Sequence, residues 1–398
     1  MSDSTQIVWL KGAPGTGKSA IAQTLAERYA QQDLLLASSF FSKTDVTRND
    51  TKSLAATLAY QVGFTVLGIH QHIAAAVEGN NRIFLEPLEM QLIKLVFQPL
   101  FQYASQTFSS HSPCIIIIDG LNECLDTRVQ SQIVIAFSKA LKLSHAKHLK
   151  LRILFVSRPE PHLEAIFSSE NLSSMVYQLA LDDACAPVDD ICIFLKDQFA
   201  DIKINHPMCS LISSTWPTSS AIDEIIRRSS GQFIYASTVA TYVAYSDADP
   251  VSCLAAILND HVLESQAMPL VWLDALYHRI LASISDNTSL IKMILAVILF
   301  IDSDYNLFAP LTATQLSITQ TLSGIESLFS LECGQTKALL IDLYPMFHCT
   351  QLDNILVSHA TVAEFFDDHH RCKEHYINKN DFLSTLLEYC FKNIRNGK

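Results

Sequence analysis

The stretch GAPGTGKSAI, residues 12–21, follows the apolar run IVWL (7–10) and opens a segment of helical spacing. Gly12, Gly15 and Gly17 permit tight turns that aim successive N–H groups inward, forming a concave anion nest at a helix N-terminus. Gly12, Ala13, Pro14, Gly15, Thr16, Gly17, Lys18 and Ser19 satisfy G-x-x-x-x-G-K-[ST], and Ala20 carries the set of candidate phosphate-binding residues into the helix. In that pattern the lysine, Lys18, reaches the β- and γ-phosphates and the hydroxyl of Ser19 ligates Mg²⁺. The context agrees: an apolar strand precedes the loop, and Ile21, Ala22, Leu25 and Ala26 repeat at helical spacing behind it. A dinucleotide-binding loop of the Rossmann type is the nearest rival, but its glycine spacing differs and it has no use for the Lys-Ser pair.

The remaining composition narrows what such a loop can serve. A chain of 398 residues, 49% hydrophobic, fills two or three domains with sizeable cores. A formal charge of −12 without a Lys/Arg run argues against a nucleic-acid surface, which rests on clustered cations. The N-terminus lacks a basic region followed by an apolar segment, and the ten cysteines include no CxxC pair, which fits reduced thiols in the cytoplasm. MILAVILFI (293–301) is too short to span a bilayer and is expected as a core helix.

Strand-like and helix-like patterns alternate through the first part, as in a parallel sheet flanked by helices. LLLASSFF (34–41), CIIIIDG (114–120), RILFVSR (152–158) and MVYQLAL (175–181) are expected strands. SLAATLAYQV, LEMQLIKLVFQPLFQY and VQSQIVIAFSKALKL are expected helices. After about Asp182 the strand patterns give way to helical ones. The expected organisation is therefore an α/β P-loop NTPase domain over 1–182, a helical domain over 183–268, a winged-helix-like domain over 269–368, and a helical tail over 369–398. The third of these rests on PLTATQLSITQTL and TKALLIDLYPMF as helices, followed by a hairpin in HCTQLDNILVSHA.

Two further elements carry chemistry. In CIIIIDGLNEC a buried strand delivers Asp119 beside the phosphate loop, where its carboxylate is expected to help hold Mg²⁺. Glu123, four residues on, is positioned to orient or deprotonate an attacking water; the alternative is that it only caps the following turn. In LRILFVSRPEPHL another strand ends at Arg158, whose planar fork suits phosphate oxygens. Glu123 and Arg158 are the candidate catalytic residues, and Ser19 and Asp119 the candidate metal ligands. The tract HHRCKEH offers His369, His370, Cys372 and His375 as metal ligands but is read as a polar helix end.

These elements, in this order, resemble the NACHT family of signal-transduction (STAND) NTPases, particularly the fungal branch similar to the nephrocystin-3-like N-terminal domain. SSFFSKTDVTRND, SGQFIYASTVATYV, PLVWLDALYHRIL and VSHATVAEFFDD are similar to further stretches of that branch, so the likeness runs from about residue 6 to 368. The resemblance implies a nucleotide-operated switch: ADP held between the NTPase, helical and winged-helix domains, with exchange for ATP driving oligomerisation. It implies protein partners and matches His359 to the histidine that reaches the ADP β-phosphate. Two departures matter. Asn122-Glu123 stands where many relatives carry Asp-Glu, so hydrolysis is expected to be slow, and Phe233 replaces a proline that contacts adenine in several relatives. The expected function is an ATP/ADP-binding regulatory NTPase with slow hydrolysis. A nucleotide-binding scaffold without significant turnover is the runner-up, and a small-molecule kinase the third class. Neither an effector domain nor a repeat sensor is evident, so such partners are expected to be supplied elsewhere.

Overall fold

The computed structural model describes residues 5–388 apart from 44, 46, 67, 108–113, 145–149, 182–186, 247, 261–269, 283–287, 301–320, 351–352, 379, 383 and 387. The chain forms two compact units, Met1–Cys185 and Ala186–Lys398.

The first unit is built on β1 (Ile7–Gly12), β2 (Leu35–Phe40), β3 (Cys114–Asp119), β4 (Leu151–Ser157) and β5 (Val176–Leu181). They form one parallel sheet in the order β2-β3-β4-β1-β5. Strand β3 is buried along its whole length, which is why it reads as an unbroken aliphatic run instead of an alternating one. The pleat sorts its side chains: Ile116 and Ile118 join Ile7, Trp9, Ile153 and Phe155 in one core, while Ile115 and Ile117 join Leu10, Leu154 and Val156 in another. The first core is the larger. It takes in α2 (Leu54–Thr65), residues of α6 (Thr127–Ser144), and Leu163 and Phe167 of α7 (Pro161–Phe167).

The second core receives α1 (Lys18–Gln31) through Ala22 and Ala26, whose small side chains let the helix approach the sheet closely. Ile21 stays exposed, so the apolar spacing read from the sequence is wider than the face that is buried. Helical features that were not anticipated include α3 (Ile69–Gly79), α7, and a π-helical turn at Ile93–Phe97 that interrupts the long helix expected over 88–103.

The second unit begins with α9 (Val188–Asn205), α10 (Ser219–Ser229), α11 (Phe233–Tyr245), α12 (Pro250–Leu258), α13 (Val271–Ala282) and α14 (Thr288–Phe300). Helices Leu322–Phe329 and Gln335–Leu340 follow, then an antiparallel hairpin of β6 (Phe347–Cys349) and β7 (Ile355–Val357), then helix Ala360–Asp367. One apolar core runs from Ile191 to Leu386. The helix expected over 310–322 lies, but for its last two residues, outside the described residues. Among the described residues no helix is long and apolar enough to cross a membrane.

Candidate functional site

The strand order decides the site. Because β4 lies between β1 and β3, the carboxyl ends of three neighbouring strands present the glycine-rich loop after β1, Arg158 after β4, and Asp119 at the end of β3. In parallel α/β sheets ligands bind outside these ends.

The loop is held by its own conformation. Gly15 and Gly17 adopt positive φ, and Gly17 is the residue from which α1 starts, with φ 83°. Gly12 is required by close approach: a Cβ there would stand 3.0 Å from Thr16 Oγ1 and 3.1 Å from Leu181. Lys18 Nζ donates to the Ala13 carbonyl at 2.6 Å and lies 3.4 Å from Thr16 Oγ1. Ser19 and Ala20 stand on the exposed first turn of α1, beyond Pro14 and the rest of the loop.

Lys18 brings the charged groups into one field. Burial lowers its pKa to about 8, with Arg158 adding to the shift and Asp119 and Glu123 opposing it. Asp119 is only 3% exposed, and burial raises its pKa against the opposing hydrogen bond from Ser19 and the charge of Lys18. Its Oδ1 is buried without a hydrogen-bond partner. A hydroxyl and a buried carboxylate with an orphaned oxygen, beside a phosphate-shaped loop, form a donor set that suits Mg²⁺.

The following turn depends on Gly120. It has φ 69°, and a Cβ there would stand 2.7 Å from the Phe41 carbonyl, so a larger residue is strained and would have to displace the backbone just after β2. The turn Leu121–Glu123 then projects Glu123, whose Oε2 accepts the Lys43 N–H at 3.2 Å.

Arg158 has its main chain fixed on both sides. Asn122 Oδ1 accepts the Arg158 N–H at 3.0 Å, and Ser157 Oγ donates to the Arg158 carbonyl at 3.0 Å while accepting the buried Trp9 Nε1–H at 2.8 Å. Behind Asn122, Gln130 Nε2 donates to the Cys124 and Asn122 carbonyls, and Gln130 Oε1 lies 2.7 Å from His162 Nε2 on α7. Asn122 thus joins the turn after β3 to the end of β4. Sequence inspection registered it only as a missing acid and did not single out Trp9, Ser157, Gln130 or His162. The detectable signals were a tryptophan in an aliphatic strand and a serine closing another.

His359 belongs to the second unit. It caps helix Ala360–Asp367: Nδ1 accepts the Thr361 N–H at 3.1 Å, and Thr361 Oγ1 lies 2.9 Å from the buried Tyr277 hydroxyl. A ring that accepts at Nδ1 carries its proton on Nε2, so the outer nitrogen is a donor. Phe233 packs edge-on to Phe194. The HHRCKEH tract disperses: His369 packs on Tyr376, buried Cys372 faces the Phe366 carbonyl, and His375 turns towards His278.

A glycine-rich loop between β1 and α1, with an acid and an arginine at the ends of two neighbouring strands, defines a P-loop NTPase-like α/β unit followed by a helical unit. Residues 1–158 match the family model described as Nephrocystin 3, N-terminal. Comparison of the sequence with curated proteins gives no match. Among solved structures the chain is similar to the Aeropyrum pernix ORC2 protein in ADPNP–ADP complexes, with TM-score 0.39, 10% identity, and coverage of 98% of this chain and 89% of that one. It is also similar to Drosophila ORC bound to DNA, with TM-score 0.39, 10% identity and coverage of 95% and 93%. A third similarity is to Drosophila ORC bound to poly(dA/dT) DNA and Cdc6, with TM-score 0.29, 11% identity and coverage of 98% and 57%.

Proposed function

We propose that this chain is an ATP/ADP-binding regulatory NTPase of the NACHT/STAND type, working as a nucleotide-operated switch with slow hydrolysis. The observation that carries the reading is the strand order, which sets Asp119 at the end of β3 and Arg158 just after β4 beside the glycine-rich loop that follows β1. The backbone of residues 12–20 and Lys18 would cradle the phosphates, Ser19 and Asp119 would hold Mg²⁺, and Arg158 would meet the terminal phosphate. A bound Mg²⁺ supplies charge neutralisation at the phosphate oxygens. Glu123 orients the attacking water and accepts its proton. His359 would donate from Nε2 to the ADP β-phosphate, and the segments 183–268 and 269–368 would act as the helical and winged-helix domains that respond to the nucleotide. The acidic net charge and the absence of a basic run support a protein partner, or a second copy of the chain, over nucleic acid, and the cysteine pattern supports a cytoplasmic setting. Mass spectrometry of the nucleotide that co-purifies with the chain, followed by ADP and ATP titration, tests the reading. A chain that neither carries nor binds an adenine nucleotide would overturn it.

One observation favours a second reading, a nucleotide-binding scaffold without useful turnover. The Asn122 side chain is committed to the Arg158 main chain, and Glu123 accepts from the Lys43 N–H. Single-turnover hydrolysis separates the two: bound ATP that persists unhydrolysed over hours selects the scaffold.

A further inference from the structure

The C-terminal histidine tract contributes to a site that sequence spacing does not reveal. His278 on α13 donates from Nε2 to the Arg371 carbonyl at 2.8 Å, since a carbonyl can only accept. In a neutral ring Nδ1 is then a bare lone pair, and it is buried with no hydrogen-bond partner among the described residues. A buried acceptor left unmatched is costly. The same arrangement, one ring nitrogen donating to a backbone carbonyl and the other presenting its lone pair, is how metal-ligating histidines are oriented.

Two further ligands stand opposite. One ligand atom from each of His278, Glu374 and His375 lies within 4.8 Å of the others. The two imidazole centroids are 5.5 Å apart; two rings sharing one tetrahedral ion with metal–nitrogen bonds of about 2.1 Å stand roughly 5 Å apart. Of the neighbouring cations, Arg371 is neutralised by Asp274 at 2.7 Å. Lys292 donates to the Glu374 carbonyl at 2.7 Å, and the Glu374 carboxylate lies 3.6 Å from His375 Nε2.

We infer that His278, His375 and Glu374 form a binding site for a divalent cation of the Zn²⁺ class, with water completing the coordination. Such an ion ties the turn Lys373–His375 to α13 and matches the buried Nδ1 lone pair. The site does not depend on the nucleotide reading, because its ligands all belong to the second unit.

Co²⁺, a spectroscopic stand-in for Zn²⁺, tests the inference on the full chain. Titration is expected to give the visible bands of a tetrahedral ion, and Zn²⁺ to abolish them by competition. His375→Ala should weaken Co²⁺ binding at least about a hundredfold, since loss of even an outer-shell partner costs ten- to a hundredfold. Glu374→Ala should weaken it about tenfold, while His369→Ala, His370→Ala and Lys18→Ala leave it unchanged. His278 packs on Phe365, so His278→Ala is read together with thermal melting. Zn²⁺ should raise the melting temperature of the parent chain and not that of His375→Ala. Absence of tetrahedral bands, unchanged affinity in His375→Ala, or loss of binding in His369→Ala or His370→Ala would each overturn the site.

Discussion

The two units treat buried charge in opposite ways. In the helical unit three sheltered arginines, among the described residues, are each paired with a carboxylate. Arg228, 5% exposed, donates to Glu224 at 2.6 Å and to the Ile257 and Leu258 carbonyls, with its guanidinium 4.0 Å from the Trp272 ring. Hydrogen bonds from Arg227, then Arg228, hold the Glu224 carboxyl at about 2. Arg279 pairs with Asp260, and Arg371 with Asp274. At the strand ends of the first unit, by contrast, Lys18 lies in the field of Arg158, Asp119 and Glu123; burial lowers its pKa despite two carboxylates, and burial raises that of Asp119 despite the charge of Lys18. Removing one member of a matched buried pair strands a charge, whereas sheltered groups held away from their preferred ionisation make a candidate binding site.

Four substitutions can break that comparison. The largest effect belongs to Lys18→Ala, which should remove measurable ADP binding by isothermal titration while leaving the nucleotide-free melting temperature no lower. The same group sets a pH dependence. Below about pH 8 the folded chain keeps Lys18 charged at a cost; between about 8 and the ordinary 10.5 the folded state binds fewer protons than the unfolded one. Stability of the parent relative to Lys18→Ala should therefore rise across that window, and ADP affinity should fall as pH passes 8. An ADP affinity that survives Lys18→Ala removes the phosphate assignment.

Arg228→Met should do the reverse, lowering stability by about 3 kcal/mol, chiefly by leaving the Ile257 and Leu258 carbonyls unmatched, while Glu224 keeps its hydrogen bonds from Arg227. Denaturant unfolding measures it, and a loss below about 1 kcal/mol would mean that the pair is not what secures that helix. Glu123→Gln should retain ATP binding and slow hydrolysis about a hundredfold, the scale of a lost general base. Equal rates would make Glu123 a turn residue.

The smallest effect separates two roles in one histidine. His359→Leu removes both the helix cap and the outer donor, whereas asparagine can still cap. His359→Asn should therefore preserve the melting temperature yet weaken ADP binding about tenfold, or about 1.4 kcal/mol, if Nε2 reaches the β-phosphate as proposed. Unchanged affinity would leave the ring as a cap alone.

The sequence by itself determined most of the glycine-rich loop, because nearly everything that shapes residues 12–19 is contiguous: positive-φ glycines, a starting helix, and a lysine long enough to fold back over its own turn; only the close approach of Gly12 to Leu181 comes from afar. It also determined that β3 is buried on both faces, as four consecutive isoleucines require. Tertiary structure decided the rest. The alternating pattern of strands and helices is compatible with several strand orders, and only the insertion of β4 between β1 and β3 sets Arg158 between the loop and Asp119. Asn122 became the link to Arg158 through a bond spanning 36 residues, and Ser157 meets Trp9 across 148. His278 and the Arg371 carbonyl are 93 residues apart. A bond of that reach depends on how packed elements are registered, and local spacing does not encode it, whereas a turn is settled within a few residues by the dihedral freedom of its own chain.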